Sequence, residues 1–393
     1  MSNRFTSFFS TLFVLLAVAT SGAYAQMVGD QIFLQGRYVE VGIAPNGSLG
    51  STRLPPATYH TRSPAFNFYD PGLGAFTGLS ASRLMMVYDA GFDGWTAGTP
   101  TFFGDYSMPG SPYEGWGIQI NGNHSEAQAQ YYLGVTTGFQ GTAGLTGNNI
   151  SYSNPPGRLV GVWQGTAGAL QITQTTTLDT TGSWVKFNVK LRNTGATPLV
   201  GVHYLRETDP DNDQTAPGGS FVTSNVINYQ NDYLRRVMVT ATGTLYTTQT
   251  LSLSTKDCRA KCFIHTGWPM GTGINLATLW STGLPGFNFT GPVTSDVAIG
   301  LVYNLGTIAA GDSTEINYAY VFNGLLGLDS ATVSPQVVVN GIPRDTVDTV
   351  TSCTFSGPTL PMSIINGSSA DWLGSTWTWA PSTYLSATTG TST

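Results

Sequence analysis

Hydrophobic and polar residues alternate with a period of two along much of the chain. In the clearest segment, 185–192, valine, phenylalanine and leucine stand at odd positions and lysine, asparagine and arginine at even ones. Because successive side chains of a strand point to opposite faces, this pattern predicts a strand with one buried and one wet face. Similar strand signals, separated by turn residues, occur at 31–43, 170–178, 199–205, 297–305 and 316–322.

Helical periodicity is nearly absent, and residues 127–132 form the only short, weak candidate. Strand patterns do not alternate with helix patterns along the chain, so a parallel sheet is not predicted. We therefore predict an all-β fold in which residues 26–333 form one large antiparallel β-sandwich.

The composition changes near Ser334, and valine-rich segments after it resemble the opening strands of a second, Ig-like unit. The remaining 60 residues, 334–393, are fewer than the roughly 100 that an Ig-like sandwich needs. We expect a partial Ig-like domain in a longer product, and the alternative is a small, complete C-terminal cap.

The N-terminus has the pattern of a secretory signal peptide at residues 1–25. An apolar run from Phe8 to Val18 is followed by the small-x-small motif Ala23-Tyr24-Ala25, which predicts Gln26 as the mature start. A membrane anchor is the competing interpretation, but the run is too short to span a bilayer comfortably. We expect a secreted, extracellular protein at the cell surface, with no transmembrane segment in the mature chain.

Charge is scarce, and this limits the classes of partner. Only 10% of the 393 residues are charged, and the net charge is −6. Without a basic patch for phosphates, nucleic acid is not an expected partner. Aromatic residues make up 12% of the chain, which is unlike a disordered composition.

Three cysteines, Cys258, Cys262 and Cys353, remain for redox or metal chemistry. In an exported protein their spacing predicts a local Cys258–Cys262 disulfide and leaves Cys353 unpaired. Zinc is disfavoured because no histidine or second cysteine pair lies at ligand spacing.

Asp209, Asp211 and Asp213 form the densest group of negative charge in the chain. Side chains at alternate positions of an extended segment share one side, so the three carboxylates could converge on Ca²⁺. The group is not an EF-hand, because Gln214 stands where the turn glycine belongs. A solvated acidic turn paired with nearby arginines is the alternative.

A Gly-rich segment from Asp89 to Trp116 is crowded with aromatic rings. Trp95, Tyr113 and Trp116, together with the Glu114 carboxylate, are candidates for contact with the faces and hydroxyl groups of a sugar. Large apolar residues are usually buried, and this favours the alternative that the rings fill the core.

The C-terminal run from Trp377-Thr378-Trp379-Ala380-Pro381 through Leu385-Ser386 to Gly390 resembles the opening half of PKD-like, Ig-type repeats in large surface proteins of Bacteroidota. It departs from them at Tyr384, where the repeats usually have glycine. This resemblance, over about a tenth of the chain, implies an outer-surface adhesin with further repeats downstream.

A second resemblance covers Val185 to Asn225. The pieces Asn193-Thr194-Gly195, Arg206-Glu207-Thr208-Asp209-Pro210-Asp211 and Thr223-Ser224-Asn225 are similar to the pattern of galactose-mutarotase-like β-supersandwich proteins. The resemblance implies the sheet arrangement and no catalytic residue.

These observations favour an exported, non-catalytic surface domain for adhesion or display, stiffened by calcium, with a glycan or surface polymer as the expected partner. A carbohydrate-active enzyme or lectin on the supersandwich fold is the alternative. A carboxylate pair of Glu114 with Asp209 would suit a glycosidase, but their spacing in sequence does not bring them together.

Overall fold

The computed structural model describes residues 23–60, 84–96, 104–107, 113–130, 139–141, 144–214, 218–231, 236–267 and 273–322, residues 102 and 216, and five short strands elsewhere. The elements are short strands near the N-terminus, long strands in the middle and one short helix. In chain order they are β1 (Tyr24–Val28), β2 (Gln31–Gln35), β3 (Val39–Ile43), β4 (Tyr69–Asp70), β5 (Ala75–Phe76), β6 (Met86–Tyr88), β7 (Tyr113–Ile120), β8 (Asn123–Gln130), β9 (Phe139–Gly141), β10 (Leu145–Ser153), β11 (Arg158–Ala167), β12 (Leu170–Asp179), β13 (Trp184–Asn193), β14 (Leu199–Thr208), β15 (Thr223–Gln230), β16 (Val237–Gly243), β17 (Thr250–Thr255), β18 (Ala260–His265), α1 (Leu276–Thr282), β19 (Phe287–Asn288), β20 (Val293–Ser295), β21 (Ala298–Ile308), β22 (Ser313–Val321), β23 (Gln336–Val339), β24 (Ile342–Asp345) and β25 (Met362–Ile365).

Two large antiparallel sheets form the body of the fold. One has nine strands in the order β10-β11-β12-β13-β22-β17-β16-β15-β20, and the other has seven in the order β19-β18-β21-β14-β7-β8-β9. A four-stranded sheet, β1-β2-β3-β6, adds its apolar side chains to the same core. The prediction of an all-β antiparallel sandwich is confirmed.

The alternating strands bury the residues that their period predicts. Val185, Phe187, Val189 and Leu191 of β13 are each 1% exposed or less, whereas the side chains between them lie on the outer face. Strand β13 pairs with β12 on one side and β22 on the other, so its buried stripe continues across three strands.

Aromatic side chains join the two sheets across the core. The Tyr204 hydroxyl of β14 lies 2.8 Å from the Tyr318 hydroxyl of β22, which belongs to the other sheet. The Phe187 ring stacks on Tyr318 with 4.8 Å between centroids. These contacts satisfy buried hydroxyl groups and bury a large apolar area at the same place.

A fully buried ion pair lies beside these rings. Arg206 of β14 and Glu114 of β7 are both inaccessible to solvent, with Nε and Oε1 2.5 Å apart. Glu114 also accepts a hydrogen bond from the Tyr320 hydroxyl at 2.7 Å and one from the Leu49 backbone N–H. The guanidinium lies 4.7 Å from the centre of the Phe187 ring. The pair therefore links both large sheets and the N-terminal segment.

The only helix in the described part of the chain, α1, was not predicted. The Asn275 side chain caps it by accepting from the Thr278 N–H at 3.0 Å, and Leu276 and Leu279 are buried. Seven residues with two buried positions are too few to give a visible helical period. The weak helix candidate at 127–132 is wrong as far as residue 130, because β8 occupies those positions and pairs with β7.

The predicted Cys258–Cys262 disulfide is wrong. Cys262 is a free thiol on β18, fully buried, and its Sγ lies 3.5 Å from the Tyr229 carbonyl oxygen. Cys258 is disulfide-bonded, so Cys262 is not its partner. Cys262 belongs to the main hydrophobic core, whereas Cys258 lies in the turn before β18. Cys353 lies outside the described residues.

Several predictions at the ends of the chain concern residues that the structure does not describe. Of the predicted unit at 334–393, only the three strands β23, β24 and β25 are described, as one small sheet. The motif from Trp377 to Gly390 lies outside the described residues, as does most of the predicted signal peptide. Strand β1 begins at Tyr24, two residues before the predicted mature start. Within the described residues, no helix has the length and apolar character needed to cross a membrane.

Replacing Arg206 with methionine should destabilise the fold strongly. Glu114 would remain buried without its cation, and breaking a buried pair in this way costs about 3–5 kcal/mol. Urea unfolding followed by circular dichroism measures the loss. The control is Lys190→Met, which removes an exposed pair with Glu315 (3.8 Å) and should cost less than about 1 kcal/mol. Equal losses for the two variants would show that the buried pair has no special role.

Candidate metal centre

Three acidic side chains meet at one end of the seven-stranded sheet. Asp209 follows the last residue of β14, and Asp211 comes two residues later. Asp296 precedes β21, which pairs with β14 in a register that places Thr208 opposite Ile299. One oxygen from each of the three carboxylates lies within 4.8 Å of the others. We call Asp209, Asp211 and Asp296 the aspartate cluster.

Hydrogen bonds hold the loop that carries two of these residues. The Asp209 N–H donates to the Tyr113 carbonyl oxygen at 3.0 Å, and the Asp211 N–H donates to that of Tyr106 at 2.7 Å. The Asn212 side chain donates to two carbonyl oxygens of the β16–β17 hairpin, at 2.8 and 2.9 Å. The loop is therefore fixed to elements on both sides before any ligand is considered.

The loop contains a concentration of buried oxygen atoms that have no hydrogen-bond partner within the described protein. All are acceptors, and a buried acceptor without a partner costs about 1–3 kcal/mol. They are Asp209 Oδ1, Asp211 Oδ1, Asn212 Oδ1, Asp213 Oδ1 and Gln214 Oε1. A group made only of unpaired acceptors suits a cation, which several oxygens can share.

Asp213, the third aspartate of the sequence pattern, is engaged elsewhere. Its Oδ2 accepts hydrogen bonds from the N–H groups of Leu245 at 2.7 Å and Tyr246 at 3.0 Å. The chain turns at 212–214 instead of remaining extended. The Asp213 side chain therefore does not share one side of the segment with those of Asp209 and Asp211, as the sequence pattern had predicted. Asp296 takes the third place, and no local sequence signal pointed to it because only the β14–β21 pairing brings it near.

Burial and mutual repulsion disfavour the charged form of these carboxyl groups. Burial raises the pKa of Asp209 well above its ordinary value, and the charges of Asp296 and Glu207 raise it further. Burial also raises the pKa of Asp211, and Asp209, Asp296 and Asp213 add to the effect. Partial desolvation also raises the pKa of Asp296, although this residue is more exposed than Asp209 and Asp211. A divalent cation would reverse this balance by pairing with the charged forms.

A carboxylate–histidine pair lies next to the aspartate cluster on the same face of the sheet. Glu207 is fully buried, and its Oε2 lies 3.0 Å from Nδ1 of His265. The His265 ring stacks on Phe287 at 3.8 Å between centroids. Glu207 precedes Asp209 by two positions on the same side of the chain, and its charge acts on the Asp209 carboxyl group.

The residues that the sequence suggested for sugar contact are in the interior. Trp95 is 5% exposed and stacks on His60 at 4.4 Å, and Tyr113, Glu114 and Trp116 are 1% exposed or less. This placement favours the alternative that the rings fill the core. Glu114 is also held by Arg206 in the core, so the structure does not pair it with Asp209 for acid–base chemistry.

Comparisons with known proteins identify no family. No protein-family model matches the chain, and no curated protein matches it. Solved structures with some similarity include an aldose 1-epimerase from Klebsiella pneumoniae, with 8% identity, 77% of this chain and 82% of that chain covered, and a TM-score of 0.30.

Two other similar structures are larger proteins. A polysaccharide lyase shows 10% identity over 88% of this chain and 44% of its own, with a TM-score of 0.30. A GH36 alpha-galactosidase from Geobacillus stearothermophilus shows 9% identity over 79% and 42%, with a TM-score of 0.27. The chain thus spans less than half of either protein. Likeness at this level establishes neither a shared family nor an activity.

Without divalent cations, Asp211→Asn should stabilise the protein at pH 8. A raised carboxyl pKa in the folded state contributes stability below the ordinary value near 4, and that contribution is lost as the pH rises through the folded pKa. The amide removes this loss, and the expected gain at pH 8 is about 1–3 kcal/mol. Melting temperatures in excess chelator from pH 4 to pH 8 measure it.

The control for this experiment is Asp312→Asn, which changes an exposed carboxylate in the turn before β22. Its melting curve should follow the unmodified protein at every pH. A destabilised Asp211→Asn variant at pH 8 in chelator would contradict the assignment of Asp211 to an uncompensated acidic cluster.

Proposed function

We propose that this chain is an exported, extracellular domain for adhesion or display, and that the aspartate cluster binds Ca²⁺ and thereby locks the loop after β14 to the start of β21. The N-terminal leader pattern, the low charge and the all-β architecture support export to the cell surface. The proposal is non-catalytic, because it gives the aspartate cluster the role of holding an ion that fixes the loop.

One observation carries the proposal: two aspartates that are each only 2% exposed face a third carboxylate within 4.8 Å and keep unpaired oxygens. Exposed acidic turns need no ion, because water satisfies each carboxylate. Here the buried oxygens lack that solvation, and the charged groups named as acting on Asp209 and Asp211 among the described residues are all negative. Hard, oxygen-only ligands of this kind suit calcium or magnesium better than zinc or copper.

Calcium should raise the melting temperature of the protein, and chelator should lower it. Binding to the folded state alone stabilises by RT ln(1 + [L]/Kd), which is about 2.7 kcal/mol at a hundredfold excess over Kd. Differential scanning calorimetry of the purified protein in calcium and in chelator measures the shift. Asp209→Asn and Asp211→Asn should each abolish most of it.

Asp213→Asn provides the matched comparison, because Asp213 belongs to the same loop but binds the Leu245 and Tyr246 N–H groups. It should lower stability equally in calcium and in chelator, and it should preserve the calcium-induced shift. A melting temperature of the unmodified protein that does not respond to calcium would remove the metal site from the proposal.

Export is tested separately by locating the protein and measuring its mass. In the native cell we expect the protein in the extracellular or surface fraction, with an N-terminus at Gln26 after removal of residues 1–25. Terminal sequencing and surface proteolysis provide the measurement. A chain that keeps Met1 and stays in the cytosol would contradict the extracellular assignment without bearing on the metal site.

A further inference from the structure

We propose that calcium bound at the aspartate cluster serves as a docking point for a neutral saccharide, whose adjacent hydroxyl groups complete the coordination shell. This inference rests on the metal site under Proposed function and extends it from a stiffening role to recognition of a ligand. It concerns only the aspartate cluster and none of the buried aromatic residues discussed above.

The number of protein ligands leaves room for a second partner. Calcium takes six to eight oxygen ligands, whereas three carboxylates supply three oxygens if each binds through one atom. Bidentate binding by all three would reach only the lower limit of that range. With each carboxylate bound through one atom, water or the oxygens of another molecule would occupy part of the shell.

The exposure of Asp296 indicates on which side of the site the open positions would lie. Asp209 and Asp211 form the inner side of the site, since each is 2% exposed, whereas Asp296 is exposed. A cation held between a buried pair and an exposed third ligand contacts protein on its inner side and water on its outer side. Water bound there can exchange for hydroxyl oxygens without any change in the protein.

Charge selects the class of ligand. Three carboxylates and one Ca²⁺ leave a local charge of −1, and Glu207 adds to the negative charge beside Asp209. Arg206, the nearest cation along the chain, points to the opposite face of the strand and is committed to Glu114. An anion such as phosphate or a uronic acid would be repelled, whereas a neutral pair of hydroxyl groups would not.

Strand β19 supplies a half-buried ring, Phe287, two strands away from β21 in the same sheet. His265 pairs with Phe287 on one side and with Ala298 on the other. Asp296 lies two residues before Ala298, and Phe287 is half-buried. One side of the Phe287 ring stacks on His265. Carbohydrate rings have apolar C–H faces, so the exposed part of Phe287 would offer a contact to a polymer that extends from the cation across β18.

The test uses the purified protein with immobilised mannan and galactan as neutral probes and polygalacturonate as the anionic probe. Surface plasmon resonance in calcium should show binding to at least one neutral polymer, about tenfold or more tighter than in chelator. Calcium affinity without polymer is measured in parallel by isothermal titration calorimetry. Polygalacturonate should bind less well than the preferred neutral polymer.

Asp296→Asn is the informative variant because the side chain is exposed and its replacement should leave the fold intact. Calcium affinity and polymer binding should both fall about tenfold or more, while the melting curve in chelator stays the same or improves. Asp312→Asn, another exposed aspartate, should change neither measurement.

The possible results separate this inference from the one on which it rests. Calcium binding with no response to either neutral polymer would overturn the saccharide inference and leave the metal site standing. Polymer binding that persists in chelator, or a preference for polygalacturonate, would also overturn it. The absence of calcium binding would remove both proposals.

Discussion

The buried ion pair between Glu114 and Arg206 is the constraint around which the sandwich is arranged. Two charges without solvent are tolerable only if each is surrounded by partners, and the partners come from separate parts of the fold. Tyr320 belongs to the nine-stranded sheet, and the Leu49 N–H belongs to the N-terminal segment. Satisfying this pair therefore requires both sheets and the N-terminal layer to be in place together.

The two faces of strand β14 differ in how their charges are balanced. On the core side of β14, Arg206 compensates a carboxylate and is covered by aromatic rings. On the other side, Glu207 pairs with a histidine, and Asp209 beyond it has no cationic side chain among its described contacts. One face pairs its negative charge with an arginine, whereas the other accumulates negative charge at the end of the sheet. That contrast distinguishes a structural pair from a candidate binding site.

Sequence reasoning succeeded where the physics is local. The period of two located β13 and its neighbours because a dry sandwich interior accepts only apolar side chains on one face. The same reasoning found Asp209 and Asp211, which lie close together in sequence, but it chose Asp213 as the third member. The turn at 212–214 changes the direction of that side chain, and the true neighbour, Asp296, is brought in by strand pairing. The disulfide prediction failed similarly, since short spacing along the chain does not decide whether two thiols are bonded in the fold.

Asp209 and Asp296 are 87 positions apart in the sequence, and they become neighbours only after β14 and β21 have paired along their length. An ion held by both would act as a non-covalent cross-link that closes a long loop and cannot form in a partly folded chain. This cross-link would form at high calcium concentration and be lost at low calcium concentration. If the chain is exported as proposed, this end of the sheet would acquire its final rigidity only outside the calcium-poor cell interior.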